Sequence, residues 1–343
     1  MKKFRKIFVW IMLSLIIQGS IYFYIDNHYL TNNTKLKLTK VEKKNKSEKP
    51  DLEIKLPENA KNISMSFDGK YVAYYDGDIL KVANTKIGEE REITFNEGAE
   101  LSYYKWISDR NRMLIAEKHK NENGGYAFKL AYYDVDKDTK EEIKDLTWAD
   151  ENSVVEDIQE SVLTNVIYVK VSRGGGNSRL YWINIMKEMK RVPTRVQMIG
   201  DIALIYHEDR LLYESKTYNK IYVTNMDKSI DIDGVQKPKL LGVDIDDNIY
   251  VGKKENDKIS AVYYGKLENP TSQWKSIPFD KPIDEKDIHI SEKGKVIVND
   301  NLKGIVKDVA SGKEIKYKGK FLQAYEGGVS SISENKLIKT KFN

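Results

Sequence analysis

The sequence predicts an all-β fold, a β-propeller of four-stranded blades behind one N-terminal helix, and three observations carry that prediction. A hairpin signal, two strand-like runs around a tight polar turn, returns at a near-constant interval from residue 63 to the C-terminus. β-Branched residues and tyrosine fill the runs, as a pleated, half-buried surface favours, and no long amphipathic helical pattern interrupts them. A single uncharged stretch, Ile7 to Ile25, stands ahead of everything else.

That stretch reads as a transmembrane signal anchor. Its 19 residues make a helix of roughly 28 Å at about 1.5 Å per residue, against a hydrocarbon core of about 30 Å. Lys2, Lys3, Arg5 and Lys6 precede it, so the positive-inside rule keeps residues 1–6 in the cytoplasm as a short tail and sends the chain after Asp26 outward. Trp10 near one end and Tyr22, Tyr24 and Tyr29 near the other suit the aromatic belts. A cleaved signal peptide is the rival reading. It would carry an apolar core of about 7 to 15 residues and a small-x-small site, of which Gln18-Gly19-Ser20 is a poor version. The chain has no cysteine, so it forms no disulfide and carries no lipid-modified cysteine anchor.

Charge is unevenly spread. Residues 1–50 hold eleven Lys or Arg against three acids, a net of +8, which leaves −3 for the rest of a chain whose total is +5. Residues 26–50, with Lys35, Lys37, Lys40, Lys43, Lys44, Lys46 and Lys49 and few apolar side chains, read as a flexible solvated stem. At that length its r.m.s. span is roughly 28 Å, so the folded part should stay near the membrane. A nucleic-acid partner needs a basic stripe on the folded domain, and the basic excess here belongs to the anchor and stem.

Residues 51–343 are too many for one ordinary two-layer core and suit a closed repeat. The first hairpin joins Ile63–Phe67 to Lys70–Tyr75 at Asp68-Gly69. Further copies centre on Asp109-Arg110, Thr164-Asn165, Glu208-Asp209, Asp246-Asp247, Lys293-Gly294 and Glu334-Asn335. Asp68 to Glu334 is 266 residues in six steps, or about 44 per step, the size of a four-stranded propeller blade. Runs such as Ile79–Ala83 and Arg91–Ile93 after the first hairpin, or Gly304–Val309 and Glu314–Tyr317 after the sixth, supply the outer strands. Seven inner hairpins predict seven blades, yet the last unit, Phe321 to Phe342, ends after three strands. Leu52–Leu56 is the natural fourth, and pairing the two ends would close the ring and remove a free edge. Six blades plus an irregular insertion is the alternative, because the second-to-third interval is long, at about 55 residues, and the fourth unit is ragged.

Ser66-Phe67-Asp68-Gly69-Lys70-Tyr71-Val72-Ala73-Tyr74 resembles the S-x-D-G-K element of TolB-type and dipeptidyl-peptidase-IV-N-terminal-type propellers, often grouped as WD40-like. Trp106-Ile107-Ser108-Asp109-Arg110 is a weaker match, with Arg110 where glycine is expected. The resemblance implies the propeller fold and a platform for binding protein or ligand. It does not imply peptidase activity, for which this chain holds no hydrolase domain after the propeller.

Signals for chemistry are sparse. His28 lies in the stem, and His119, His207 and His289 are far apart without metal-ligand spacing, so surface positions are expected. No G-x-S-x-G elbow, P-loop or G-x-G-x-x-G occurs, so no catalytic residue and no cofactor is assigned. Arg173-Gly174-Gly175-Gly176-Asn177-Ser178 lies between two strands and reads as a hairpin loop, since a phosphate cradle would open a helix. Asp134, Asp136 and Asp138 alternate as calcium ligands can, but Thr139 stands where an EF-hand needs glycine and Asp145 where it needs glutamate. A turn between strands is the plainer reading there, and likewise for Asp231–Gly234 and Asp244–Asp247. Carboxylates gathered in the channel would serve a glycosidase or lyase, whereas loop aromatics such as Tyr126, Trp148 and Trp274 on one rim would make a contact surface. The expected function is a non-catalytic interaction or ligand-binding scaffold at the cell envelope, anchored by its helix and holding another envelope protein. The alternative is a surface enzyme or receptor for cell-wall glycan or peptide that uses the central channel.

Overall fold

The computed structural model describes residues 2–25, 53–95 and 98–342, without the side chains of residues 2, 3, 147 and 148. The stem expected at 26–50 lies outside the described residues. One helix, Lys2–Ile25, opens the chain. Its apolar part, Phe4–Ile25, is 22 residues long with a mean hydropathy of 1.8, long and apolar enough to cross a membrane.

The rest is an all-β propeller of seven antiparallel blades. Strands run A to D from the channel outward. Blade 1 is Lys61–Met65, Tyr71–Asp76, Ile79–Asn84 and Glu90–Ile93; blade 2 is Glu100–Trp106, Arg112–Lys120, Tyr126–Asp134 and Thr139–Ala149. Blade 3 is Val154–Ser161, Val166–Arg173, Asn177–Asn184 and Met189–Val192. Blade 4 has three strands, Ile199–Ile205, Arg210–Ser215 and Lys220–Val223, and one isolated bridge from Ile221 to Ile230 stands in for its fourth. Blade 5 is Pro238–Val243, Ile249–Glu255, Lys258–Gly265 and Lys275–Ile283; blade 6 is Ile288–Ile290, Val296–Asp300, Ile305–Asp308 and Glu314–Lys316. Blade 7 takes Lys320–Tyr325, Gly328–Ser333 and Lys336–Lys341 from the C-terminus, and its strand D is Ile54–Lys55. Ile54 pairs with Leu337 and Lys55 with Lys336, so the ring is closed by the two ends of the domain, as expected.

Two expectations need adjustment. The long second-to-third interval is not an insertion between blades: strands B, C and D of blade 2 are simply nine, nine and eleven residues long. The seventh inner turn is Glu326-Gly327, and Glu334-Asn335 is the next turn outward, between strands B and C. Both Glu334 and Asn335 take positive φ, 51° and 60°, the backbone of a two-residue hairpin, so the turn signal read there is genuine but belongs to the outer hairpin.

Seven apolar clusters hold the ring, one for each seam between neighbouring blades. Leu114, Phe128 and Leu130 of blade 2 meet Ile158, Val169 and Ile183 of blade 3. Ile54, Leu56 and Leu337 of blade 7 meet Met65, Val72 and Tyr74 of blade 1. The tyrosine pairs explain how one blade serves two seams. Successive side chains in a strand point to opposite faces, so Tyr74 packs toward blade 7 while Tyr75 packs toward blade 2. Tyr132 and Tyr133 likewise divide between the seams with blades 3 and 1, and Tyr263 and Tyr264 between those with blades 4 and 6. Both rings of each pair therefore lie between blades, on opposite sides.

Candidate functional site at the channel mouth

Strand direction alternates across each blade, which puts all A–B and C–D turns on one face and all B–C turns and blade-to-blade connections on the other. The A–B turns stand nearest the axis. Blade 1 shows how such a turn is built. Ser66 is fully buried; its hydroxyl donates to Asp68 Oδ1 at 2.9 Å and accepts from the Tyr71 amide at 3.0 Å. Asp68 Oδ1 also accepts from the Lys70 amide at 2.9 Å. Gly69 has φ +68°, and a Cβ there would lie 2.6 Å from the Tyr325 ring of blade 7. The S-x-D-G-K element is thus a turn and a blade contact in one.

Polar links tie each turn region to the next all the way round. Asn111 of blade 2 donates to Asp68 at 3.2 Å, and Tyr132 of blade 2 donates to Glu160 of blade 3 at 2.8 Å. Tyr168 and Trp182 of blade 3 both reach Asp209 of blade 4, at 2.7 and 2.9 Å. Asp247 of blade 5 accepts from the Tyr206 amide at 2.8 Å, and its other oxygen lies 2.9 Å from His207 Nδ1. Tyr250 of blade 5 bridges Asp244 and the Gly294 carbonyl of blade 6. Lys293 of blade 6 pairs with Glu326 of blade 7 at 3.3 Å, and the Glu326 amide donates to the Phe67 carbonyl of blade 1 at 2.9 Å.

The mouth so framed gathers acids from distant parts of the sequence. Asp109 is gripped by both Nε and Nη2 of Arg110, at 2.8 and 2.7 Å, which holds its carboxyl below the ordinary range. Glu160 is pushed the other way: burial raises its pKa, against the opposing pull of Tyr132, Arg110 and Arg112, and its Oε2 is buried without a hydrogen-bond partner. Solvent still reaches Glu292, yet the crowding turns raise its pKa too, with the charges of Glu326 and Asp109 acting in the same sense. The Ser108 hydroxyl favours its ionised form. Blades 2 and 6 are not neighbours, so Ser108 and Glu292 approach each other across the mouth. Tyr206 of blade 4 feels the same field: burial first, then Glu292, Asp244 and Asp247, pushes its hydroxyl up to about 12.

The residues singled out from the sequence do not assemble there. Asp134, Asp136 and Asp138 share the outer C–D turn of blade 2, but each answers to different partners. Asp136 accepts from Tyr71 at 2.8 Å and Lys70 at 2.5 Å, Asp138 from Tyr133 at 2.5 Å, and Asp134 from the Lys137 amide at 3.1 Å. Among the described residues no group of three acidic or histidine side chains could hold a metal ion. Tyr126 lies on the opposite face, with Lys118 Nζ over its ring at 4.9 Å. The Trp148 side chain is outside the described residues. Trp274 corrects the expectation of an exposed rim aromatic: it is buried, packed over Gly265 in the seam of blades 4 and 5, with its indole N–H on the Lys266 and Asn269 carbonyls. His289 is not a surface residue either. Its ring lies 4.9 Å from that of Phe321, and burial holds its pKa below the ordinary value.

No protein-family signature matches the chain, and no curated protein matches its sequence. Solved structures do match in shape. Hsv2 from Kluyvelomyces marxianus is 12% identical, over 80% of this chain and 89% of that one, with a TM-score of 0.50. Dipeptidyl peptidase 4 from Porphyromonas gingivalis is 12% identical over 80% of this chain and 48% of that one, with a TM-score of 0.44. A luciferin-regenerating enzyme is 9% identical over 72% of this chain and 84% of that one, with a TM-score of 0.43. At 12% identity the likeness to Hsv2 shows a shared fold and nothing of the chemistry carried on it.

Proposed function

We propose that the chain is a single-pass, outward-facing membrane protein of the cell envelope whose propeller is a binding scaffold, with the A–B mouth as its contact site. The observation that carries this reading is the convergence of Asp109, Glu292 and Glu326 from three blades on one cross-linked rim. A rim of carboxylates with Arg110 and Lys293 beside them, on a framework of interblade hydrogen bonds, suits a polar partner segment that exchanges these ion pairs for its own cations or donors, with little ordering cost on the scaffold side. The apolar helix supports attachment to the membrane, and the basic residues before it support the outward orientation. TolB-like ancestry rests on the Ser66–Tyr74 element and its weaker copy at Trp106–Arg110. Mild in-cell crosslinking of the tagged full-length chain tests the scaffold. A near-stoichiometric protein should copurify with it and be missing from a stem-only control; recovery of nothing above that control contradicts the reading.

A second reading, acid–base chemistry on glycan or peptide at the same mouth, is favoured by one observation. Asp109 is held ionised while Glu160 and Glu292 are biased toward protonation, the division of roles that carboxyl-based hydrolysis and lyase reactions use. Turnover of wall glycan or peptide by the purified protein, lost in Glu160→Gln, would establish it in place of the first.

A further inference from the structure

On the face away from the mouth, a polar cavity of about 320 Å3 opens beside the B–C turn of blade 3. Arg173, Arg179 and Arg191 line it with Asn152, Asn177 and Gln197. Only one carboxylate, Asp150, belongs to the lining, and both Nε and Nη2 of Arg173 already bind it at 3.2 Å. Arg179 and Arg191 make no ion pair with any described residue. Register explains why they point the same way. Tyr181 pairs with Arg191 across strands C and D, and Arg179 stands two residues before Tyr181, so both guanidinium groups leave the same face of the blade. The cavity thus holds two permanent cations without a carboxylate partner, Arg179 half-buried and Arg191 exposed, on a domain whose net charge is −3.

We propose that this cavity binds a phosphorylated sugar or polyol. Guanidinium groups present paired donors that match a phosphate's oxygens, and the amides of Asn152, Asn177 and Gln197 offer donors and acceptors suited to hydroxyls. The volume exceeds the need of a bare phosphate and falls at the small end of ligand pockets. Of the three-glycine turn, Gly174 belongs to the lining, and a Cβ there would lie 3.9 Å from Asn152. The backbone there is not a phosphate cradle; the arginines supply the recognition. The same headgroup chemistry could come from a free ester or from the repeating unit of a polyol-phosphate polymer. The site is independent of the mouth and of the function proposed for it.

Calorimetric titration of the full-length chain in non-ionic detergent tests the proposal with glucose 6-phosphate, glycerol 3-phosphate, a poly(glycerol phosphate) oligomer, inorganic phosphate and glucose. One phosphate ester should bind with 1:1 stoichiometry, more tightly than inorganic phosphate, and glucose should give no heat. Preference for the monomer assigns a soluble ligand, and preference for the oligomer assigns a polymer. Arg179→Gln and Arg191→Gln should each weaken binding at least tenfold, while Arg110→Gln at the mouth leaves it unchanged. Absence of binding by every ester, equal binding of glucose or inorganic phosphate, or unchanged affinity in both arginine variants overturns the proposal.

Discussion

At the scale of the residue, the positions that matter are those where backbone or charge is constrained by a neighbouring blade. Gly69 combines a left-handed φ of +68° with the Tyr325 ring 2.6 Å from where a Cβ would sit. Gly69→Ala should therefore cost about 1 to 3 kcal/mol in denaturant unfolding, from backbone strain and displacement of that ring. Glu160 makes a pH-dependent prediction. Its folded pKa is raised, so in the window between the unfolded and folded values the native state binds the extra proton, and stability falls as pH rises through it. Gln keeps an acceptor for the Tyr132 hydroxyl and removes the buried charge. Glu160→Gln should raise the Tm more at pH 7 than at pH 4, and an equal change at both pH values would contradict the assignment. The Ser66–Lys70 element was legible in the sequence because its turn chemistry is local. The mouth was not, because residues 109, 292 and 326 become neighbours only when the ring closes.

At the scale of the element, the ring depends on a two-residue strand, Ile54–Lys55, that completes blade 7. Ile54 and Leu337 are 7% and 4% exposed, so the closure is a packed apolar contact as well as a hydrogen-bonded one. Leu337→Ala should destabilise by about 2 to 4 kcal/mol and promote self-association through the released edge, both readable by denaturation and light scattering. The pairing itself can be trapped. In a chain without cysteine, Ile54→Cys with Leu337→Cys should oxidise to one intramolecular disulfide, whereas Ile54→Cys with Ser331→Cys should not. The closing strand was foreseeable from a simple count, since three strands at one end needed a fourth. The register of blade 7 was harder, because two turn signals stand eight residues apart, Glu326-Gly327 and Glu334-Asn335, and each joins a pair of strands.

At the scale of the whole molecule, the two faces of the ring carry different constellations. The A–B face presents acids on a cross-linked rim, and the far face carries the arginine-lined cavity of blade 3. A disc with two unlike faces can hold one ligand without blocking another. Orientation with respect to the membrane is open to direct labelling: Ser311→Cys, on an exposed turn of blade 6, should react with an impermeant maleimide in intact cells. Labelling only after lysis would place the propeller inside instead. The measurement that tests the central claim most directly is recovery of the crosslinked partner from cells carrying Asp109→Lys or Glu292→Lys, with Asp257→Lys on the opposite face as control. The scaffold account predicts that the partner is retained by wild type and the control and lost from both mouth variants. Equal recovery from all four chains would show that the mouth is not where the propeller binds.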